Sequence, residues 1–318
     1  MKEVKKLLEN TLWFEKYRPK QIKDCILSDK MMKTFKGFIK SKDVPNLMLT
    51  GSQGTGKTTL GKVIAKELDA ELLYIDCSTD NGKAMIQEMI VPYASTISID
   101  NPDVPKFILC DECDYLSASA MASLRPILER YSLTTRFIFT GNYAERIIPA
   151  LKSRCACFDF SITKEDKPQL MTNFFKRCEY ILKDNGVEYD KKVLMTFISK
   201  VFPDFRRTIN ELQSYSIGRG VVDEGILTIG LSNTIADEVY PLLKEHKFDS
   251  ARKWVAESVN SPEDVFASLY NRMVDYVPQE QQPELILVLA QYQDYATRVA
   301  NQNINLMACF TECMNVLQ

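Results

Sequence analysis

From Asn46 to Leu60 the chain reads NLMLTGSQGTGKTTL, and this stretch leaves little choice in what it can build. A short apolar run is followed by Gly51, four further residues and then Gly56-Lys57-Thr58, and a helical pattern sets in near Lys57. A strand, a glycine-rich turn and a helix in that order close backbone amides and a helix N-terminus around one point, the environment a phosphate group needs. Lys57 has the reach to meet β- and γ-phosphates and Thr58 carries a hydroxyl for magnesium, while Gly51, Gln53, Gly54, Thr55, Gly56 and Thr59 supply the remaining contacts. The pattern predicts a nucleotide site with Mg2+ as its metal.

Four more apolar runs, ELLYIDC, KFILCDE, RFIFTGN and CACFDF, alternate with helical stretches between about residues 30 and 160. That rhythm predicts a parallel sheet covered by helices on both faces. In KFILCDECDYL, Asp111 and Glu112 fall at the end of a strand, where side chains emerge at the top of such a sheet. Asp111 suits the magnesium shell and Glu112 suits polarising an attacking water, which favours hydrolysis over transfer to a bound acceptor. Asn142 closes the next strand, where it can orient that water or sense the γ-phosphate.

After about Ser161 the period changes. TKEDKPQLMTNFFKRCEYILKDNG and DKKVLMTFISKVFPDFRRTINELQSYS read as amphipathic helices broken at Asn185-Gly186 and Pro203, with Thr163 as a cap. Beyond residue 230 the pattern stays helical, with Pro262 and Pro283 near helix starts. The expected organisation is α/β plus all-α: a sheet domain over 1–160, a small helical domain over 161–230 and an all-helical unit over 231–318.

Charge and composition restrict what such a chain can do. Forty basic against 42 acidic residues leave a formal charge of -2, so nucleic acid must be held by a few local contacts rather than a broad positive field. The single histidine, His246, excludes Ser-His-Asp triads and multi-histidine metal sites. Nine cysteines, an odd number without paired metal-ligand spacing, point to a reducing, cytoplasmic setting. Cys110 and Cys113 do form a C-x-x-C, but Cys110 falls inside an apolar strand and no second pair accompanies it. Neither a secretory leader nor a membrane-spanning run is evident.

These elements, with WFEKYRP (Trp13 to Pro19) before them and SRC (Ser153 to Cys155) after, resemble the AAA+ ATPases of sliding-clamp loaders. DCSTDNGKAMIQ, DECD, SLRPILERYS, TGN and PDFRRTINELQSYS correspond to further segments of that family, and the likeness is strongest to the ATPase subunit of T-even-type phage clamp loaders. The resemblance implies an AAA+ domain, a helical lid and a helical collar, ATP hydrolysis, and assembly with other copies of itself and a non-identical subunit. It also implies a ring-shaped sliding clamp and primer-template DNA as partners, in the cytoplasm of a phage-infected host.

Residue roles carry over on the matching motifs. Arg154 takes the place of a finger reaching the neighbouring subunit's nucleotide, worth on the order of a thousandfold or more in rate, with pairing to an acid of its own domain as the alternative. Arg206 matches a lid arginine on the γ-phosphate, although Pro203 stands where many relatives have glycine. Tyr17, Arg18 and Pro19 match the segment packing on adenine, an aromatic anchor in the core being the other reading of Tyr17. Arg125 matches a second arginine at the subunit boundary, or else is a solvated helix charge. Lys83 and Gln87 take the places that follow the DNA backbone, Gln87 standing where relatives often carry arginine, and Ile97 and Ile99 fall where relatives touch the clamp. A translocating AAA+ helicase, a non-catalytic scaffold subunit and a small-molecule P-loop kinase are the rival readings.

Overall fold

The computed structural model describes residues 12–98, 101, 104–229, 235–258, 262–296 and 298–317. The chain divides into two compact units, Met1–Gly230 and Leu231–Gln318.

The first unit is organised on five parallel strands, β1 (Leu47–Thr50), β2 (Leu72–Asp76), β3 (Lys106–Asp111), β4 (Thr135–Gly141) and β5 (Ala156–Asp159), in the order β2-β3-β4-β1-β5. Alternation along the strands feeds two cores. Leu47, Leu49, Phe107, Leu109 and Ile138 face one side with Phe35, Leu60 and Ile64, while Met48, Ile108, Cys110, Phe137 and Phe139 face the other with Leu124 and Leu128. Burial on both faces is why the inner strands β1, β3 and β4 read as continuous apolar runs. Each fully buried Phe or Leu contributes roughly 1.5–3 kcal/mol through its apolar surface.

The helices of this unit begin with α1 (Trp13–Lys16) and α2 (Asp29–Ser41), the latter capped by Ser28. Next come α3 (Lys57–Glu67) and then three consecutive pieces, α4 (Lys83–Met85), a π-helical turn (Ile86–Ile90) and α5 (Val91–Ala94). After β3 run α6 (Ala118–Arg130), capped by Ser117, and the short α7 (Pro149–Lys152).

The helical part comprises α8 (Lys167–Asp184), α9 (Lys191–Val201), α10 (Phe205–Ser216) and α11 (Ile226–Ile229), with a two-residue parallel pair, β6 (Glu188–Tyr189) and β7 (Val221–Val222). Asp190 and Asp204 cap α9 and α10. Thr163 does not open α8. Its hydroxyl accepts from the Asp166 amide at 3.2 Å in the preceding turn, because Pro168 has to lie in the first helical turn, where a missing N–H costs nothing. Trp13 and Tyr17 are buried in the core of this part with Phe174, Ile181 and Leu212. The Trp13 amide donates to Gln213 Oε1 at 2.7 Å and Arg177 Nη2 donates to the Tyr17 carbonyl at 2.7 Å.

The second unit holds α12 (Ile235–Lys244), α13 (Phe248–Ser258), α14 (Pro262–Tyr276), α15 (Gln282–Ala296) and α16 (Gln302–Val316) around Tyr240, Leu269, Leu285, Leu306 and Phe310. The long helical run after Pro283 is thus two helices. Asn301 starts the second by accepting from the Asn303 and Ile304 amides. His246 is exposed, in left-handed conformation (φ 51°) at the turn between α12 and α13.

Candidate functional site

At the carboxyl end of β1 the chain turns through Gly51 (φ 131°), Gly54 (φ 73°) and Gly56 (φ 94°), backbone conformations that side chains resist. Two of these glycines are also needed for space. A Cβ on Gly51 would lie 3.0 Å from the Phe160 carbonyl carbon, and one on Gly54 would lie 1.9 Å from Asp204 Oδ1 at the start of α10. The Phe205 amide donates to the Gly54 carbonyl at 3.2 Å, so the phosphate loop and the lid helix α10 touch directly.

Lys57, the first residue of α3, is buried, and its ammonium donates to the carbonyls of Gly51 and Ser52, each at 2.7 Å, and to Asn142 Oδ1 at 2.9 Å. Burial pulls its pKa down to about 8, against the opposing attraction of Asp111 and Asp114. Asp111 ends β3 as the focus of three hydroxyl donors. Thr58 Oγ1 donates to Oδ1 at 2.6 Å, Thr140 Oγ1 donates to the same oxygen, and Tyr74 donates to Oδ2 at 3.0 Å. Glu112 follows in left-handed conformation (φ 55°), its amide donating to Thr140 Oγ1 at 3.2 Å. Burial, then the like charges of Asp111, Asp76 and Asp114, raise the Glu112 pKa, and Arg206 opposes them. Asn142 is carried on a loop whose amides, its own and that of Tyr143, donate to Asp114 Oδ2 at 3.3 and 3.2 Å.

These groups open onto a cavity of about 370 Å³, within the range of small-molecule sites. Gln53, Gly54, Thr55, Gly56, Lys57, Thr58 and Thr59 line it, as do Asp111, Glu112, Asn142 and Arg206, and Tyr17, Arg18, Pro19, Phe174 and Arg177 form its other wall. Tyr17 is buried in the lid core and also lines the cavity. Thr58 and Asp111 offer hard oxygen donors side by side, the donor set that magnesium takes. Cys110 and Cys113 are both fully buried in the sheet core.

Other positions named from the sequence lie away from this cavity. Lys83 and Gln87 are exposed at the start of α4 and in the π-helical turn, above buried Met85, Ile86 and Ile90. Arg125 is exposed on α6 and Ile97 is exposed, whereas Ile99 lies outside the described residues. Arg154 pairs within its own chain: Nη2 and Nε donate to Glu129 Oε1 at 2.6 and 2.8 Å, and Nη1 donates to the Ala150 carbonyl at 2.8 Å. Tyr74, Thr140, Asp114, Arg177 and Glu129 were not singled out from the sequence. Only Thr140 and Asp114, inside TGN and DECD, sit in a motif that points toward the site.

A family model for the lid domain of the sliding-clamp-loader large subunit, an AAA+ ATPase, matches residues 166–228, and the AAA family of ATPases associated with various cellular activities matches residues 47–165. The Rad17 P-loop domain matches residues 5–81. The replication factor C small subunit of Aeropyrum pernix is 32% identical over 292 residues, 88% of this chain and 86% of its own. The chain belongs to the AAA+ sliding-clamp-loader ATPases. Within this family it is also 35% identical to the sliding-clamp-loader large subunit of Escherichia phage RB69 over 234 residues, 71% of each chain, and 30% identical to the replication factor C small subunit of Archaeoglobus fulgidus over 93% of this chain and 95% of that one. As a clamp-loader ATPase the chain hydrolyses ATP, and the parallel sheet, lid and C-terminal helices are the architecture of that family. Among the described residues, no helix is long and apolar enough to cross a membrane.

Proposed function

We propose that this clamp-loader ATPase acts in an assembly of several of its own copies with a non-identical subunit. In this reading ATP binding orders the assembly so that it holds an opened sliding clamp, primer-template DNA completes the sites, and hydrolysis releases the clamp. Residues 1–160, 161–230 and 231–318 serve as ATPase, lid and oligomerisation parts, in the cytoplasm of a phage-infected bacterium. Lys83 and Gln87 meet the DNA backbone, and Arg125 faces a neighbouring subunit.

Within one site, the amides of the phosphate loop and Lys57 hold the phosphates, and Arg206 approaches the γ-phosphate from the lid. Thr58 and Asp111 would hold Mg2+, which would supply positive charge against the phosphates. Glu112 accepts a proton from the attacking water, and Asn142 orients that water or reads the γ-phosphate. Tyr17 and Arg18 face the base.

One observation carries the assembly reading: the phosphate-loop and carboxylate residues converge on one cavity, while Arg154 does not line it and pairs with Glu129. In this reading Arg154 exchanges Glu129 for the nucleotide site of another subunit. The test is phosphate release by the chain with its partner subunit, with and without clamp and primer-template, for wild type and Arg154→Ala. Joint stimulation of wild type by clamp and primer-template, lost at least a hundredfold in Arg154→Ala with ATP binding retained, is expected. A wild-type response from Arg154→Ala, or full turnover on single strands alone, overturns the reading.

A further inference from the structure

Tyr74 sits on β2, an edge strand of the sheet, and is 41% exposed, so its ring is not a core anchor. Its hydroxyl nonetheless donates to Asp111 Oδ2 at 3.0 Å, across the β2–β3 register in which Asp76 stands opposite Asp111. The ammonium of Lys62 lies over the ring, 4.3 Å from its centroid. Lys62 is one helical turn after Thr58 on α3, so a single helix places a hydroxyl on one oxygen of Asp111 and a cation against the residue that binds the other. Three elements thus close around one carboxylate.

We propose that Tyr74 is a positioning residue for the magnesium-binding carboxylate, a statement that rests on Asp111 and Thr58 being the magnesium side chains. The Thr58 hydroxyl donates a hydrogen bond to Asp111 Oδ1 at 2.6 Å. A hydroxyl has one O–H and two lone pairs, so Thr58 can turn a lone pair to a metal and keep its proton on the carboxylate. Asp111 is fixed by Thr58 and Thr140 on Oδ1 and by Tyr74 on Oδ2, and the donor on the second oxygen sets the plane of the group. Partners of this kind orient a ligand that they do not replace, and their loss weakens metal binding by about tenfold or more.

The experiment measures binding of a fluorescent, non-hydrolysable ATP analogue to the full chain, first without divalent metal and then in a magnesium titration. Tyr74→Phe keeps the ring over Lys62 and removes only the hydroxyl. It is expected to raise the magnesium concentration at half-saturation about tenfold while leaving metal-free affinity within about twofold of wild type. Lys62→Met should raise the half-saturation point by a smaller factor, about two- to threefold, by loosening the ring. Asp111→Asn serves as the reference. If it shifts the magnesium titration and Tyr74→Phe does not, the role of Tyr74 is overturned and the magnesium site stands. If Asp111→Asn leaves the titration unchanged, the magnesium assignment itself falls and takes the Tyr74 proposal with it. Equal loss of metal-free and magnesium-dependent affinity in Tyr74→Phe would make the tyrosine a structural residue and also overturns the proposal.

Discussion

Lys57 shows how an ordinary side chain acquires its properties from where the backbone puts it. Two loop carbonyls and Asn142 satisfy its three protons, and burial lowers its pKa to about 8. The cation is the form that binds phosphate, so the sign is fixed: nucleotide affinity should hold below that value and fall as pH rises through about 8, by up to tenfold per unit. An equilibrium binding series between pH 6.5 and 9.5 checks this, with Lys57→Ala expected to bind weakly and without that fall. Glu112 moves the opposite way, since its raised pKa puts loss of the ionised base at higher pH than an ordinary glutamate as the solution is acidified. Lys57, Thr58, Asp111 and Glu112 were legible in the sequence because a glycine-rich turn and a strand end are local features. Tyr74 and Thr140 were not, because their contacts with Asp111 come from lateral strand order, β2 and β4 flanking β3. Arg154 was legible as a motif, whereas its pairing with Glu129 depends on how α6 and the segment after α7 pack.

Among the elements, α10 does more than carry Arg206. Its first amide bonds to the phosphate loop, and its capping residue Asp204 occupies the space where a side chain on Gly54 would stand. Gly54→Ala should therefore reduce nucleotide affinity at least tenfold, through the clash with Asp204 and through the left-handed backbone, which costs a non-glycine residue about 1–2 kcal/mol. Adding Asp204→Ala should recover part of that affinity while losing about 1 kcal/mol of stability with the cap, read from nucleotide titration and thermal melting. Equal affinity loss in single and double variants would place the whole effect in the backbone. Strand periodicity announced the sheet, since burial on both faces leaves an unbroken apolar signature. The start of α8 was harder to place: Thr163 has the chemistry of a cap, and Pro168 decides which turn comes first.

For the molecule as a whole, the proposed assembly makes the pairing of Arg154 with Glu129 a tether that has to open before Arg154 reaches a neighbouring site. Glu129 is 60% exposed and Arg154 is 23% exposed at the side chain, and exposed pairs of this kind are worth about 1 kcal/mol or less. Glu129→Gln should leave the melting temperature unchanged, and in the assembled state without primer-template it should raise phosphate release by up to about fivefold, a gain that Arg154→Ala removes. No rise would mean that the tether does not compete with the neighbouring site.

The Trp13 amide is bonded to Gln213, 200 residues further along the chain. During synthesis at about 5–20 residues per second, Trp13 leaves the ribosome roughly 10–40 s before Gln213 of α10 exists to receive it, and Tyr17 precedes its α8 partners Arg177 and Asp184 by nearly as long. Two large aromatics of the finished core therefore wait uncovered for most of the time the first unit is being made, a window in which a chaperone that binds short apolar segments would find its target near the amino terminus.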